Sequence, residues 1–225
     1  MKKIASIRTE FPTKFGVPRQ SGVVSLARGR IVFEEEYRDP SALRGLEEFS
    51  HIWVLWEFSE AKQKSWSPTV RPPLLGGNTR VGVFGTRSPY RPNPIGLSVL
   101  KLEGIQKTEN EGMVLLVSGC DMIDKTPIFD IKPYLSYCDS ISDALCGFTA
   151  GLKDRRLDVV YHDEVLEKLP KEKLTFITEV LKGDPRPSYH DDEDRVYGFN
   201  ISGFEIKFCV KNKTLTVISA KKLDS

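Results

Sequence analysis

Hydrophobic positions in this chain come in short runs, not in long helical stripes. Lys3–Ile7, Gly22–Leu26, Arg30–Phe33, His51–Phe58, Arg80–Thr86, Leu97–Glu103 and Met113–Cys120 are rich in Val, Ile, Leu and Phe. Gly, Pro, Asn and Asp separate them, which is how strands and their turns read in sequence. Little helical periodicity lies between these runs. The pattern therefore predicts a mainly β fold, a barrel or closed sheet, in preference to a doubly wound α/β arrangement. Pro40–Phe49 predicts one early helix, with Ser41 as N-cap ahead of Leu43 and Leu46.

The pattern changes after Asp139. Ser140–Asp154 reads as a connection. A strand (Leu157–Tyr161), a helix (Lys171–Leu181, apolar at Leu174, Ile177, Val180 and Leu181) and strands at Arg195–Ser202, Gly203–Val210 and Leu215–Ala220 follow. Asn212 and Lys213 mark a hairpin tip. The expected organisation is a single-sheeted β-barrel domain over residues 1–139 and a small C-terminal α/β domain over 150–225. The acidic run at 191–194 reads as a solvated loop.

A chain of 225 residues with 40% hydrophobic and 28% charged side chains can bury a full core. No run reaches the roughly 18 apolar residues that span a bilayer. Charge returns at Arg8 and Glu10, so the N-terminus lacks the apolar core of a signal peptide, and a cytoplasmic protein away from membranes is expected. Cys120, Cys138, Cys146 and Cys209 lack metal-type spacing. They read as reduced and mostly packed, with no metal site. His51, inside an apolar run, reads as a core histidine.

Charge is segregated more sharply than these totals suggest. Residues 61–102 hold seven basic side chains (Lys62, Lys64, Arg71, Arg80, Arg87, Arg91, Lys101) and no Asp or Glu, although the whole chain is only +2. Positive potential concentrated on one segment suits an anionic partner such as RNA phosphate. Within it, Arg71–Gly96 reads RPPLLGGNTRVGVFGTRSPYRPNPIG. Its prolines fix φ and remove donors, so a strand over Val81–Thr86 should feed a rigid loop over Arg87–Gly96. Such a loop loses little entropy on ordering around a ligand. No G-x-G-x-x-G follows a strand and no P-loop or G-x-S-x-G elbow is present, which disfavours Rossmann, P-loop and serine-hydrolase chemistry.

Six segments in order carry a family resemblance: FGVPRQ (15–20), RGLEEFSHIW (44–53), VRPPLLGG (70–77), VFGTRSPYRPNPIG (83–96), DMIDKTPIFDIKPYL (121–135) and GDPRPSY (183–189). Together they resemble the bacterial tRNA adenine-N6 methyltransferases of the single-sheeted barrel type, which act on threonylcarbamoyl-adenosine at tRNA position 37. The resemblance implies an S-adenosylmethionine-dependent enzyme, a compact β-barrel with the cofactor at a homodimer interface, and tRNA as partner. The alternative is a non-enzymatic RNA-binding module on the same barrel. One departure is Asp124-Lys125-Thr126-Pro127, where the family usually has Asp-Gly-Thr-Pro. If that turn needs positive φ, Lys125 carries strain of about 1 kcal/mol. Otherwise the turn differs and the lysine adds a phosphate contact.

Methyl transfer from a sulfonium needs positioning more than covalent help from the protein. The resemblance and the strand-end positions assign Pro18, Arg19, Gln20, Ser59, Glu60, Arg87, Leu97, Ser118, Gly119, Cys120 and Asp121 to the cofactor. Arg87 serves as an anion clamp and Asp121 as acceptor for an amine or ribose hydroxyl. Tyr90 as a stacking ring, Arg91 as a fork for the substrate carboxylate, Asn93, Lys132 and Arg186 are assigned to the substrate. Tyr90 as core filler is the competing reading. Asp130 and Tyr134 are the candidates for accepting the proton from the attacking nitrogen, and Asp130 reads equally as a strand-end cap.

Overall fold

The structure, a computed structural model, describes residues 1–61, 65–150, 156–186, 192–193 and 195–223. Strands β1 (Ala5–Thr9), β2 (Arg28–Phe33), β3 (His51–Glu57), the short β4 (Thr69–Val70) and β5 (Val81–Gly82), then β6 (Ile95–Thr108), β7 (Gly112–Ser118) and β8 (Pro127–Pro133) make up the N-terminal part. Six of them close into an antiparallel barrel in the order β1-β2-β7-β6-β3-β8. The pairing of β1 with β8 closes the barrel, and alternation along β3 shows its two faces: Ile52, Val54 and Trp56 are buried inward, while His51, Trp53, Leu55 and Glu57 face out. The mainly β barrel expected from the short runs is the fold observed.

Several elements differ from expectation. Gly22–Leu26 is not a strand. Gly22 sits at φ +75° and donates to the Gly119 carbonyl, and Val24 alone is buried, so this apolar run is a rim turn. Arg80–Thr86 pairs only through Val81–Gly82 against Thr69–Val70, and Val83–Gly85 then turns as one 3-10 coil. The predicted helix at Pro40–Phe49 is two 3-10 turns split by Gly45 at φ +85°. Asp39 caps the first of them, not Ser41; its carboxylate accepts the Ser41 N–H at 2.8 Å. Conversely, FDIKPY contributes β8, a wall strand that its mixed polarity concealed.

After α1 (Ser136–Asp139), a second sheet runs β10 (Tyr197–Ile201), β11 (Phe204–Lys211), β12 (Thr214–Lys222) and β9 (Asp158–Tyr161), with β9 parallel to β12. The turn helix α2 (Asp163–Leu166) and the amphipathic α3 (Lys171–Lys182) accompany it. Phe176, Ile177, Val180 and Leu181 are the buried stripe of α3. Asn212, at φ +54°, turns the β11–β12 hairpin as expected.

The barrel and this sheet share one core. Phe11 meets Phe176 at 5.9 Å and Phe15 meets Phe199 edge-on at 5.6 Å. Gly16 lies under Phe199, where an added Cβ would come within 2.4 Å of the ring. Glu10 joins the units again, accepting from Lys173 at 2.9 Å and from Ser202.

Candidate active site

Polarity inside a barrel wall is the first sign of a site. On β6 the inward positions are Gly96, Ser98 and Leu100, and Ser98 is a buried hydroxyl among apolar neighbours. Trp56 on β3 donates its indole N–H to Ser98 Oγ at 2.9 Å. An indole can only donate, so the serine's own hydrogen is free for another acceptor. That acceptor is Asp121 Oδ1, 2.7 Å away. Gly96 makes room for the tryptophan, since a Cβ there would lie 2.2 Å from Trp56 Cε2.

Asp121 reaches Ser98 because the chain leaves β7 at Ser118 and continues alongside β6 without regular pairing. Gly119 permits the turn, at φ +78° with the Gly22 backbone N only 3.2 Å from where a Cβ would stand. The freed edge of β6 is covered by the N-terminal loop: Ser21 Oγ accepts the Val99 N–H at 3.3 Å, and the Ser21 backbone also hydrogen-bonds the Asp121 carboxylate. Burial pushes the Asp121 carboxyl up to about 6, opposed by the Ser98 hydroxyl, backbone N–H groups and the nearby Arg87 charge. Burial also drives the Cys120 thiol well above its ordinary range, with the Asp121 charge adding to it. A neutral thiol of this kind is a packing group, not a nucleophile.

The predicted cofactor residues separate on the structure. Arg87 Nη1 donates to Gln20 Oε1, and Arg19 Nη2 donates to the carbonyls of Asp184 and Arg186 at 3.2 and 3.1 Å. Pro18-Arg19-Gln20, Arg87, Gly119, Cys120 and Asp121 therefore gather on one rim, tied to the second sheet's unit. Arg87 follows the 3-10 turn, not a strand end as expected. Ser118 is there through its backbone only, its hydroxyl being engaged with Glu103 at 2.6 Å. Leu97 lies on the outer face of β6, 54% exposed, and Ser59 and Glu60 are exposed just past β3.

Among the substrate candidates, Tyr90 is exposed, so it is not core filler. Arg91 donates to the Thr86 carbonyl at 3.3 Å, and the Asn93 carbonyl accepts the Ile95 N–H, which braces the proline loop. Arg186 is turned onto Asp184 by two bonds of 2.9 and 3.0 Å and is largely covered. Asp130 lies within β8, not at a strand end, opposite Leu55, which in turn opposes Leu97. Two strand spacings thus separate Asp130 from Leu97, about 10 Å. Lys132 pairs with Asp130 at 3.1 Å. Tyr134 sits at the other end of β3, packed against Trp53 and His51.

His51 is half-buried on the outer wall beside Ser50, not a core residue, and Cys138 and Cys146 are exposed, not packed. Lys62, Lys64, residues 187–189 of the GDPRPSY segment, and Asp191 and Asp194 lie outside the described residues. Among the described residues, no cluster of three or more His, Cys, Asp or Glu is arranged to hold a metal, and no helix is long and apolar enough to cross a membrane. Ser21, Ser98 and Trp56 were missed by sequence reasoning. The available signal was a serine at an inward position of an alternating strand and a tryptophan whose N–H needs a buried partner.

The chain matches the family model described as tRNA-methyltransferase O N-terminal domain over residues 6–140, and that of the TrmO C-terminal domain over residues 154–223. It is 38% identical over 226 residues to a tRNA (adenine(37)-N6)-methyltransferase of Escherichia coli K12, covering 97% of this chain and 96% of that protein. Identity reaches 44% over 173 residues with a protein of the same name from Eikenella corrodens, covering 76% of this chain and 96% of the relative. A solved structure of TrmO superposes with a TM-score of 0.76 at 30% identity, covering 97% of this chain and 96% of that one. TrmO from Pseudomonas aeruginosa gives 0.74 at 30% identity, with 97% of each chain covered.

Proposed function

The chain belongs to the tRNA-methyltransferase O family, and on that premise we propose that it methylates N6 of threonylcarbamoyl-adenosine at position 37 of tRNA. It is an S-adenosylmethionine-dependent methyltransferase. The observation that carries the reading is the rim where a buried carboxylate, an arginine and close-packed glycine backbone meet beside a proline-braced cationic loop.

These residues fit the donor's chemistry. S-adenosylmethionine presents an ammonium, a carboxylate, a ribose diol and an adenine, and when bound it supplies an activated methyl group on sulfur. Asp121, ionised above about 6, accepts from an ammonium or a ribose hydroxyl. Arg87 offers the opposite charge, and its hold on Gln20 sets its direction. Backbone at Ser118–Cys120, opened by Gly119, receives flat or hydroxylated parts closely. Leu97 gives an apolar surface beside them.

For the substrate, Tyr90 stacks on the base, Arg91 forks the threonyl carboxylate, and Asn93 reads a base edge. Lys132 meets phosphate, and Arg186 does so after releasing Asp184. Asp130 or Tyr134 would take the N6 proton as the methyl group's bond to the donor sulfur breaks and its bond to N6 forms, leaving the donor as a neutral thioether; Asp130 is the nearer to Leu97 along the sheet. We assign residues 1–139 to cofactor and chemistry and 150–225 to tRNA contact. The working unit is a homodimer acting in the cytoplasm.

The test is incubation with labelled S-adenosylmethionine and tRNA from cells lacking this methylation, followed by nucleoside mass analysis. Methylated threonylcarbamoyl-adenosine is expected. Label on plain adenosine instead would overturn the proposed substrate, and no label in tRNA would overturn the activity.

A further inference from the structure

A two-stranded ribbon formed by β4 and β5 stands apart from the barrel sheet, and its antiparallel register sets two aromatic rings at one end. Thr69 pairs with Gly82, so Trp66 before β4 and Phe84 after β5 emerge together. Their centroids are 6.3 Å apart, with planes inclined by 30°. Trp66 is 53% exposed and Phe84 is 73% exposed.

Neither ring is a core residue that slipped out. Val83, next to Phe84, is buried, and its N–H donates to the Pro68 carbonyl at 2.9 Å. The Thr86 N–H and hydroxyl both close onto the Val83 carbonyl. Arg80 Nη1 donates across the ribbon to Thr69 Oγ1 at 2.9 Å. One side of the turn is therefore pinned and the other holds its ring out to solvent. Single exposed apolar side chains are ordinary, but a paired and braced set marks a contact surface.

The surrounding charge selects the partner. The rings lie in the stretch of residues 61–102 that has seven basic and no acidic side chains. Arg71 is exposed, and no hydrogen bond or ion pair engages it among the described residues. Flat π-faces in a segment rich in cations and free of acids, with Arg71 nearby in sequence, suit a polyanion whose bases are free to stack, which is single-stranded RNA. Three residues beyond Phe84, Arg87 meets Gln20 at the candidate site, so a strand held here is led toward the chemistry.

We propose that Trp66 and Phe84 form a stacking platform for an unpaired nucleobase of the RNA, flanking the one that is modified. This rests on the tRNA reading above and extends it to residues outside the cofactor rim.

The experiment compares the full-length chain with the Trp66→Ala/Phe84→Ala variant, using a stem-loop RNA that carries the target adenosine in its loop. Stacking losses of the usual size predict affinity falling roughly five- to a hundredfold. S-adenosylmethionine affinity and the slope of RNA affinity against salt should stay unchanged. Arg71→Ala, by contrast, should reduce that slope by about 0.7 to 0.9. A Trp66→Leu/Phe84→Leu variant keeps apolar bulk without the π-faces and should bind as poorly as the alanine pair, and it serves where the alanine pair folds badly. Wild-type RNA affinity in both variants, with methyl transfer to tRNA intact, would sink the platform and leave the activity standing. So would a variant that dissociates a dimer while its RNA affinity per subunit holds, because the rings would then be a contact between copies. A wild-type chain that binds no tRNA would remove the tRNA reading itself.

Discussion

Ser98 gives its hydroxyl hydrogen to Asp121 at 2.7 Å because Trp56, donating to the same oxygen from the other side, leaves it that role. Two residues from two strands thereby orient the buried carboxylate of a third, in a loop. The bond favours the ionised acid, against burial, which favours the neutral one. Ser98→Ala removes the first influence and keeps the second. The Asp121 midpoint should rise from about 6 by roughly one unit, the scale of a charged hydrogen bond. Arg87 is the charged group that faces this carboxylate, and it stays in the variant. Cofactor affinity measured by calorimetry should then climb with pH along a curve displaced to higher pH. Superimposable wild-type and variant curves would refute the assigned role of Ser98.

The same carboxylate predicts a stability dependence of the opposite sense from an ordinary surface acid. Its folded value lies above that of an unfolded Asp, so between about pH 4 and pH 6 the folded chain binds more protons. Its contribution therefore falls as pH rises through that window. Asp121→Asn keeps an acceptor for Ser98 and removes the charge. The variant should be more stable than wild type at pH 7.5 by on the order of 1 kcal/mol, with little difference at pH 4. Its cofactor affinity should fall. Denaturant midpoints at the two pH values, set beside cofactor binding, read both effects, and a variant less stable at pH 7.5 would contradict this balance.

Lys125 stands at φ +66°, as the Asp-Lys-Thr-Pro departure led one to expect if the turn is kept. The turn is held by its neighbours: Asp124 accepts the Thr9 N–H at 3.0 Å, the Lys125 N–H reaches the Ile7 carbonyl at 2.8 Å, and Thr126 closes on Ile123 at 2.7 Å. The lysine side chain is exposed and loses nothing by removal. Lys125→Gly should stabilise the chain by about 0.5–1 kcal/mol, the left-handed cost less the added freedom of the unfolded state. Equal or lower stability in denaturant melts would show that the turn bears no strain.

The fold was legible where burial alternates and hidden where it does not. β3 and α3 announce themselves through strict periodicity, inward every second residue in one and a four-residue stripe in the other. β8 was concealed because Asp130 and Lys132 point outward from a wall strand whose inner positions include Pro133. Gly22–Leu26 misled for the converse reason: its apolar residues cover a rim without pairing. At the candidate site, prolines, arginines and glycines could be read because they are chemically conspicuous. Ser98 and Ser21 were not, since their importance comes from the partners that the fold brings to them, Asp121 and the Val99 N–H; the inward phase of Ser98 on an alternating strand was the one trace of it along the chain.

Arg87 separates a binding role from a structural one. Its side chain is exposed, and the hydrogen bond it makes is to Gln20, itself in a rim loop. Exposed arginines with a single neutral partner contribute little to folding, so Arg87→Ala should shift the thermal melt by no more than about 1–2 °C. Its charge nevertheless faces the Asp121 carboxylate, and removing it takes a cation from the place where a cofactor carboxylate would be met. A lost charge-assisted contact predicts roughly 10- to 100-fold weaker S-adenosylmethionine binding. Arg87→Lys should recover only part of this, because an ammonium restores the charge without the planar fork. A large fall in melting temperature with cofactor affinity intact would make Arg87 a brace for the 18–20 loop, and the anion clamp would have to be sought among the other cations of the segment.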